Sequence, residues 1–142
     1  MSAAVQSIEI NASVDTVYDV IVDYEKYPEF LPEMERAEVV ARDGDTVDVE
    51  FSLNLIKRLT YTLRLVGEPK VAVSWSLVVG MFQKNDGGWL LEALADGRTR
   101  ATYRVDVAVG VFVPGAITKR LVGSTLPTTL AAFKARAESL SG

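Results

Sequence analysis

Apolar and polar residues alternate with a period of two through the middle of the chain, from Glu33 to Gly110. Alternation of this kind is typical of strands that bury one face and expose the other. It recurs at residues 47–53, 58–65, 73–77, 89–91 and 101–109. The clearest apolar side belongs to residues 58–65 and consists of Leu59, Tyr61, Leu63 and Leu65. About six strands are therefore expected to share one apolar face.

Clusters of turn-forming residues separate these strands. They are Asp43-Gly44-Asp45, Gly67-Glu68-Pro69-Lys70, Asn85-Asp86-Gly87-Gly88 and Asp96-Gly97-Arg98. Such clusters connect the strands of hairpins, so the layout predicts an antiparallel meander. Gly87-Gly88 and Asp43-Gly44-Asp45 are accordingly predicted as hairpin turns rather than phosphate or calcium loops. A weaker alternation from Ala3 to Ile10 adds a first strand, which brings the sheet to about seven.

Two short helical segments are predicted between the first strand and the meander. Ser13 offers an N-cap oxygen, and apolar residues at helical spacing follow it to about Asp23. The next segment, Tyr24 to Pro32, contains Pro28 and Pro32, and each proline disfavours helix in the residue before it. We therefore expect an amphipathic helix followed by a short helix or turn.

Residues from Gly115 to Leu140 have the composition of a helix, the only long one expected. Its apolar stripe changes direction, because Ile117 points elsewhere than the later residues Leu126, Leu130, Phe133 and Ala137. Pro127 is the expected cause, since its ring would collide with the carbonyl of Gly123 in an unbroken helix. Ser124 or Thr125 is then available as a cap. The sequence predicts a kink or two helical pieces.

One helix is too narrow to cover the apolar face of such a sheet. Six strands spaced by about 4.8 Å span roughly 25 Å, whereas a helix with its side chains is about 10–12 Å wide. A sheet that curls around the helix leaves a space, which favours a ligand cavity. The alternative is that the aromatic residues simply fill the core. Against it, the hydroxyls of Tyr61 and Tyr103 need partners on the apolar face.

Composition narrows the possible chemistry. The 142 residues include no histidine and no cysteine, which removes disulfides, thiolate nucleophiles and the usual zinc sites. With 15 basic against 19 acidic residues and no basic run, a nucleic acid is not an expected direct partner. Met1 to Asn11 lacks the features of a signal peptide, and no stretch is long enough for a membrane helix. We expect one cytoplasmic domain over residues 1–142, with no cofactor and no metal.

Three segments resemble a known family. They are Val17-Tyr18-Asp19-Val20, the segment Asp23-Tyr24-Glu25-Lys26-Tyr27-Pro28-Glu29-Phe30-Leu31-Pro32, and Gly80-Met81-Phe82 with Gly88-Trp89. In these the chain resembles the START-like (SRPBCC) superfamily, in its polyketide cyclase/dehydrase and coenzyme Q-binding branch. The resemblance implies an α+β helix-grip fold, in which a curved antiparallel sheet wraps a long C-terminal helix around an apolar cavity. Pro127 departs from the family pattern, in which that helix is uninterrupted.

The resemblance leaves three functions open. The first is a carrier or chaperone that binds an isoprenoid quinone, a lipid or a polyketide-like molecule. The candidate ligand-binding residues are Tyr27, Phe30, Phe51, Leu53, Tyr61, Leu63, Trp75, Leu77, Phe82, Trp89, Tyr103, Leu121 and Thr125. The second is an aromatase/cyclase. The third is an interaction module, as the resemblance implies for bacterial members of this branch that are described as ribosome-association toxins.

The residues favour binding over the other two functions. A cyclase needs a proton donor or acceptor in the cavity, and the candidates on the apolar face are Tyr61 and Tyr103, which are weak acids. An acidic chain is a poor match for ribosomal RNA. No catalytic residue is assigned, so an enzyme is the less favoured expectation. A homodimer is an open alternative, because Val39, Val40 and Phe112 could form an apolar patch.

Overall fold

The computed structural model describes residues 2–55, 57–109, 115–120, 123 and 125–140. Its strands are β1 (Ser2–Ile10), β2 (Met34–Asp43), β3 (Thr46–Leu55), β4 (Lys57–Glu68), β5 (Ala72–Gly80), β6 (Phe82–Ala93) and β7 (Thr99–Val109). Its helices are α1 (Val14–Val22), a 3-10 helix (Tyr24–Glu29), α2 (Gly115–Lys119) and α3 (Thr125–Leu140). Phe112, Leu121 and Ser124, which the sequence analysis singled out, lie outside the described residues.

The seven strands form one antiparallel sheet in the order β1-β7-β6-β5-β4-β3-β2. Neighbours from β2 to β7 are consecutive in the chain, whereas β1 crosses over to pair with β7. Register shifts interrupt the pairings of β2 with β3, β4 with β5, and β6 with β7. Such irregularities bend strands and increase their twist. This sheet and the C-terminal helix α3 confirm the predicted helix-grip fold.

Burial follows the predicted alternation in β4. Leu59, Tyr61, Leu63 and Leu65 are buried, while Arg64 on the opposite face is exposed. Arg64 donates to both carboxylate oxygens of Asp48 on β3, at 2.9 and 3.0 Å. The outer face of the sheet is thus covered by cross-strand ion pairs. The inner face forms the core together with α1, the 3-10 helix and α3.

The two helical segments after β1 are also as predicted. Thr16 donates its backbone N–H to the side chain of Ser13 at 3.3 Å, which caps α1. The helix ends at Val22, and the 3-10 helix that follows contains Pro28. This segment buries Tyr24 and Tyr27, so it positions aromatic rings against the sheet.

The predicted turn at Asn85 to Gly88 is wrong. These residues lie inside β6, and the connection from β5 falls at Met81, next to Gly80 with a φ of +145°. Gly87 serves packing instead, because a Cβ there would lie 2.6 Å from Cζ2 of Trp75 and 2.3 Å from the carbonyl oxygen of Arg104. The glycine pair therefore marks a close approach between strands rather than a hairpin.

The C-terminal helix consists of two pieces, α2 and α3, which is one of the two predicted outcomes. The interruption lies where it was predicted, between Ile117 and Leu126: α3 begins at Thr125 and Pro127 is its third residue, so the role of the proline stays a prediction. N–H groups in the first turn of a helix have no acceptor within that helix, so a proline there removes no hydrogen bond. Helix α2 ends at Lys119, and Arg120 and Gly123, between α2 and α3, have π-helical geometry.

Candidate functional site

A cavity of about 150 Å³ lies between the inner face of the sheet and α3. Strands β3 to β7 supply most of its wall, and α3, the 3-10 helix, the segment before β2 and the first residue of β2 supply the rest. The lining residues are Tyr27, Leu31, Pro32, Glu33, Met34, Phe51, Leu53, Leu55, Tyr61, Leu63, Leu65, Trp75, Phe82, Asn85, Trp89, Tyr103, Val105, Val107, Thr125, Leu126, Thr128, Thr129 and Phe133.

Eight aromatic side chains form a continuous band around this cavity. Neighbouring rings have centroids 4.9–6.0 Å apart, within the range of favourable aromatic contacts. The band, called the aromatic wall below, follows the order Phe82, Tyr61, Phe51, Tyr27, Phe133, Trp89, Tyr103 and Trp75. Most of these contacts are edge-on or tilted, so the wall presents both ring faces and ring edges to a ligand.

Tyr27 is held in this wall by the backbone of α1. Its hydroxyl donates to the carbonyl oxygen of Ile21 at 2.5 Å, in addition to the backbone hydrogen bonds of α1. Burial is the main reason that the pKa of Tyr27 lies well above its usual value. The hydroxyl is therefore fully used by the protein, and the ring is fixed in orientation.

Tyr61 and Tyr103 differ from Tyr27 in the use of their hydroxyls. Neither makes a hydrogen bond to any other residue in the described part of the chain. Burial raises the pKa of both groups, and the proximity of Tyr103 raises that of Tyr61 further. Both side chains consequently remain neutral hydrogen-bond donors at the edge of an apolar space.

Asn85 brings a buried amide to the same cavity. Its Oδ1 accepts a hydrogen bond of 3.3 Å from Nε1 of Trp75, and the residue is 6% exposed. Strand pairing between β5 and β6 stops at Trp75 and Gly87. The side-chain bond between Trp75 and Asn85 therefore joins the two strands at the point where they separate.

The cavity is polar at the end near the start of α3. Thr125, Thr128 and Thr129 line it there, together with Glu33 from the segment before β2. Arg120 donates to Oε1 of Glu33 at 3.4 Å. The side chains of Arg120 and Glu33 are 41% and 33% exposed, so this ion pair adds little stability. It ties the residue after α2 to the edge of the cavity.

Most of the residues proposed from the sequence meet in this cavity. Those on its wall are Tyr27, Phe51, Leu53, Tyr61, Leu63, Trp75, Phe82, Trp89, Tyr103 and Thr125. Phe30 is elsewhere: its ring packs edge-on against Phe133 at 5.1 Å and beneath the guanidinium of Arg136 at 5.3 Å. Leu77 lies on β5 beyond the separation from β6 and packs against the core. Leu121 lies outside the described residues.

The sequence analysis missed two important parts of the wall. Phe133 was recognised in the apolar stripe of the helix but not as a cavity residue, although it contacts both Tyr27 and Trp89. Asn85 was assigned to a turn. Extending the alternation of Leu91 and Trp89 backwards in steps of two reaches Gly87 and then Asn85. That pattern was the available signal for an inward-facing amide.

No three or more acidic, histidine or cysteine side chains in the described part of the chain are grouped as metal ligands. Likewise, none of the helices described is long and apolar enough to cross a membrane.

Solved structures with the same fold come from several bacteria. A START superfamily protein from Mycobacterium smegmatis is 24% identical, with 97% of this chain and 98% of that one covered and a TM-score of 0.84. An aromatase/cyclase from Streptomyces sp. R1128 is 17% identical, with coverages of 96% and 93% and a TM-score of 0.83. A STAR-related lipid transfer protein fragment from Xanthomonas axonopodis is 17% identical, with coverages of 94% and 84% and a TM-score of 0.81. At these identities the likeness establishes the fold.

The sequence itself was compared with family profiles and with curated proteins. No curated protein matches it. The profile described as polyketide cyclase / dehydrase and lipid transport matches residues 10–134. Because this match extends from the end of β1 into α3 and includes every strand of the meander, the chain belongs to the polyketide cyclase / dehydrase and lipid transport family.

Proposed function

We propose that this protein binds a small apolar ligand in the cavity between the sheet and α3, as a carrier or chaperone. The observation that supports this best is the aromatic wall around about 150 Å³ of space. An engineered apolar cavity of about this volume in another protein accepts benzene. One six-membered ring is therefore the natural occupant, and the ring of an isoprenoid quinone or of a polyketide-like molecule meets that requirement. A longer apolar tail would have to extend beyond this volume.

Burial of such a ring supplies enough free energy for binding. About 200 Å² of apolar ligand surface, at roughly 25 cal/mol per Å², corresponds to about 5 kcal/mol before the costs of association are subtracted. The wall is built largely before the ligand arrives, because the aromatic contacts join side chains from seven different elements. A preformed site keeps the ordering cost of binding low.

The aromatase/cyclase alternative is less well supported. Burial raises the pKa of Tyr61 and Tyr103, which makes them weaker acids than free tyrosine. The carboxylate on the described wall, Glu33, is engaged by Arg120 at the polar end. Neither arrangement favours enolisation of a bound carbonyl compound. The interaction-module alternative rests on resemblance alone.

The two tryptophans of the chain provide a direct test, because Trp75 and Trp89 both line the cavity. We expect ethylbenzene, a single-ring probe, to change tryptophan fluorescence in a saturable way. Val105→Phe adds a ring to the cavity wall and should weaken binding at least tenfold. Val5→Phe is the matched control, since Val5 is 70% exposed on the edge strand β1. Equal affinity in both variants, or no saturable binding to the unmodified protein, would contradict the proposal.

A further inference from the structure

The cavity wall carries hydrogen-bond donors without a partner in the described part of the chain, and besides the indole N–H of Trp89 and the threonine hydroxyls at the polar end they include three on tyrosine and asparagine side chains. Two are the hydroxyls of Tyr61 and Tyr103, and the third is the amide nitrogen of Asn85. The orientation of that amide follows from chemistry: indole Nε1 of Trp75 is only a donor, so the oxygen of Asn85 must face it and the nitrogen must face away. Within the described residues, none of the three donors has a hydrogen-bond partner.

These donors open onto the cavity rather than into packed protein. In the described part of the chain, the one completely enclosed side-chain atom without a partner is Oδ1 of Asp106, on the outer face of the sheet. The hydroxyls and the amide therefore keep accessible surface. Their residues line the cavity, and Tyr61 and Asn85 are each 6% exposed overall. The accessible surface of these side chains thus belongs to the cavity.

Two acceptors on the same wall, the amide oxygen of Asn85 and Oε1 of Glu33, already accept a hydrogen bond, whereas the tyrosine hydroxyls can accept as well as donate. Oδ1 of Asn85 accepts from Trp75, and the carboxylate of Glu33 accepts from Arg120. The remaining hydroxyls, on Thr125, Thr128 and Thr129, are confined to the polar end. Buried donors without acceptors are unfavourable. A ligand that brings an acceptor between the two tyrosines would remove this cost.

We propose that the ligand is a neutral single-ring aromatic compound with an oxygen acceptor, such as an aryl ketone or aldehyde, whose oxygen accepts from the donors that Tyr61, Tyr103 and Asn85 present to the cavity. This inference rests on the proposed function and names the ligand class of the same cavity. A carboxylate ligand is disfavoured, because the described lining contains no lysine or arginine, Arg120 at its polar end is paired with Glu33, and an unpaired buried charge is costly. Burial keeps both tyrosines protonated, so they donate at neutral pH.

Acetophenone and ethylbenzene test the proposal, because they have nearly the same shape and differ in a carbonyl group. In Tyr61→Phe with Tyr103→Phe, we expect the affinity for acetophenone to fall about tenfold or more, while the affinity for ethylbenzene stays within about twofold. Benzoate should bind the unmodified protein at least tenfold more weakly than acetophenone. Calorimetric titration measures all three. Each single Phe variant should show part of the loss and serves if the double variant does not fold.

Tyr24→Phe is the matched control, since Tyr24 is also a buried tyrosine, 3% exposed, but does not line the cavity. It should leave both affinities unchanged. Equal weakening of both probes in the double variant, or weakening of neither, would overturn the inference while the cavity remains a binding site. Failure of ethylbenzene and acetophenone alike to bind the unmodified protein would overturn the proposed function and the inference together.

Discussion

Replacement of Phe133 by alanine tests whether the space beside the aromatic wall is open to ligands. The ring of Phe133 is 4% exposed, and its centroid lies 5.3, 5.1 and 5.0 Å from those of Tyr27, Phe30 and Trp89. Truncation of a buried phenylalanine to alanine costs about 3–5 kcal/mol through lost contacts and the space left behind. Because small domains have about 5–15 kcal/mol of stability, we expect a folded but weakened variant.

The decisive measurement is urea unfolding with and without naphthalene. The deleted ring enlarges a cavity that already has the volume of one ring, so a two-ring probe should bind the variant better than the unmodified protein. At 100 times its dissociation constant, a ligand of the folded state adds about 2.7 kcal/mol to the free energy of unfolding. Naphthalene should therefore restore more than half of the stability that Phe133→Ala loses.

Leu130→Ala separates a ligand cavity from an ordinary gap in the core. Leu130 is fully buried on the same helix but does not line the cavity, and its truncation should cost about 2–5 kcal/mol. Because Leu130 is not among the residues that line the cavity, we expect its truncation to leave a separate space, and naphthalene should not restore stability. Equal rescue of both variants, or rescue of neither, would refute the argument that Phe133 borders an accessible site.

Three further predictions concern the fold. Ser13→Ala removes the cap that Thr16 uses at 3.3 Å and should lower the free energy of unfolding by about 1 kcal/mol; an unchanged urea midpoint would contradict the cap. Gly87→Ala places a Cβ 2.3 Å from the carbonyl oxygen of Arg104 and should lower the melting temperature, whereas Gly123→Ala, with nothing within 4 Å, should not. Since burial raises the pKa of Tyr61, the folded state holds its proton more tightly, and stability should fall as the pH rises past about 10. Tyr61→Phe should flatten that fall in urea unfolding at alkaline pH.

The strands could be predicted because each must bury one face. Residues 58–65 alternate without exception in the sequence, and the corresponding part of β4 buries Leu59, Tyr61, Leu63 and Leu65. A shift of one residue would turn every one of these side chains to the solvent, so the pattern determines both the element and its orientation. The cap at Ser13 was equally predictable, because its chemistry is local.

Features that depend on residues distant in the sequence could not be predicted in the same way. Gly87 has the composition of a turn, yet it is required in β6 because the indole of Trp75 and the backbone of Arg104 approach it from two other strands. Pro127 differs from Gly87, because its constraint is local: it lies in the first turn of α3, where a helix tolerates proline. At Gly87 the sequence shows an unusual residue, and only the neighbouring strands decide its purpose.

The same limit applies to the distinction between a cavity and a core, because both are lined by the same apolar side chains. What separates them is the cost of a polar group that has no partner. A close-packed core excludes unpaired donors, whereas a cavity accepts them because a ligand or water can pair with them. Tyr61, Tyr103 and Asn85 stand at inward positions of three strands, in phase with fully apolar neighbours. Polar residues that alternate in phase with the apolar face of a sheet are therefore the sequence feature that indicates a binding cavity in this fold. Asn85 belongs to this set, because β6 begins at Phe82 and so includes it.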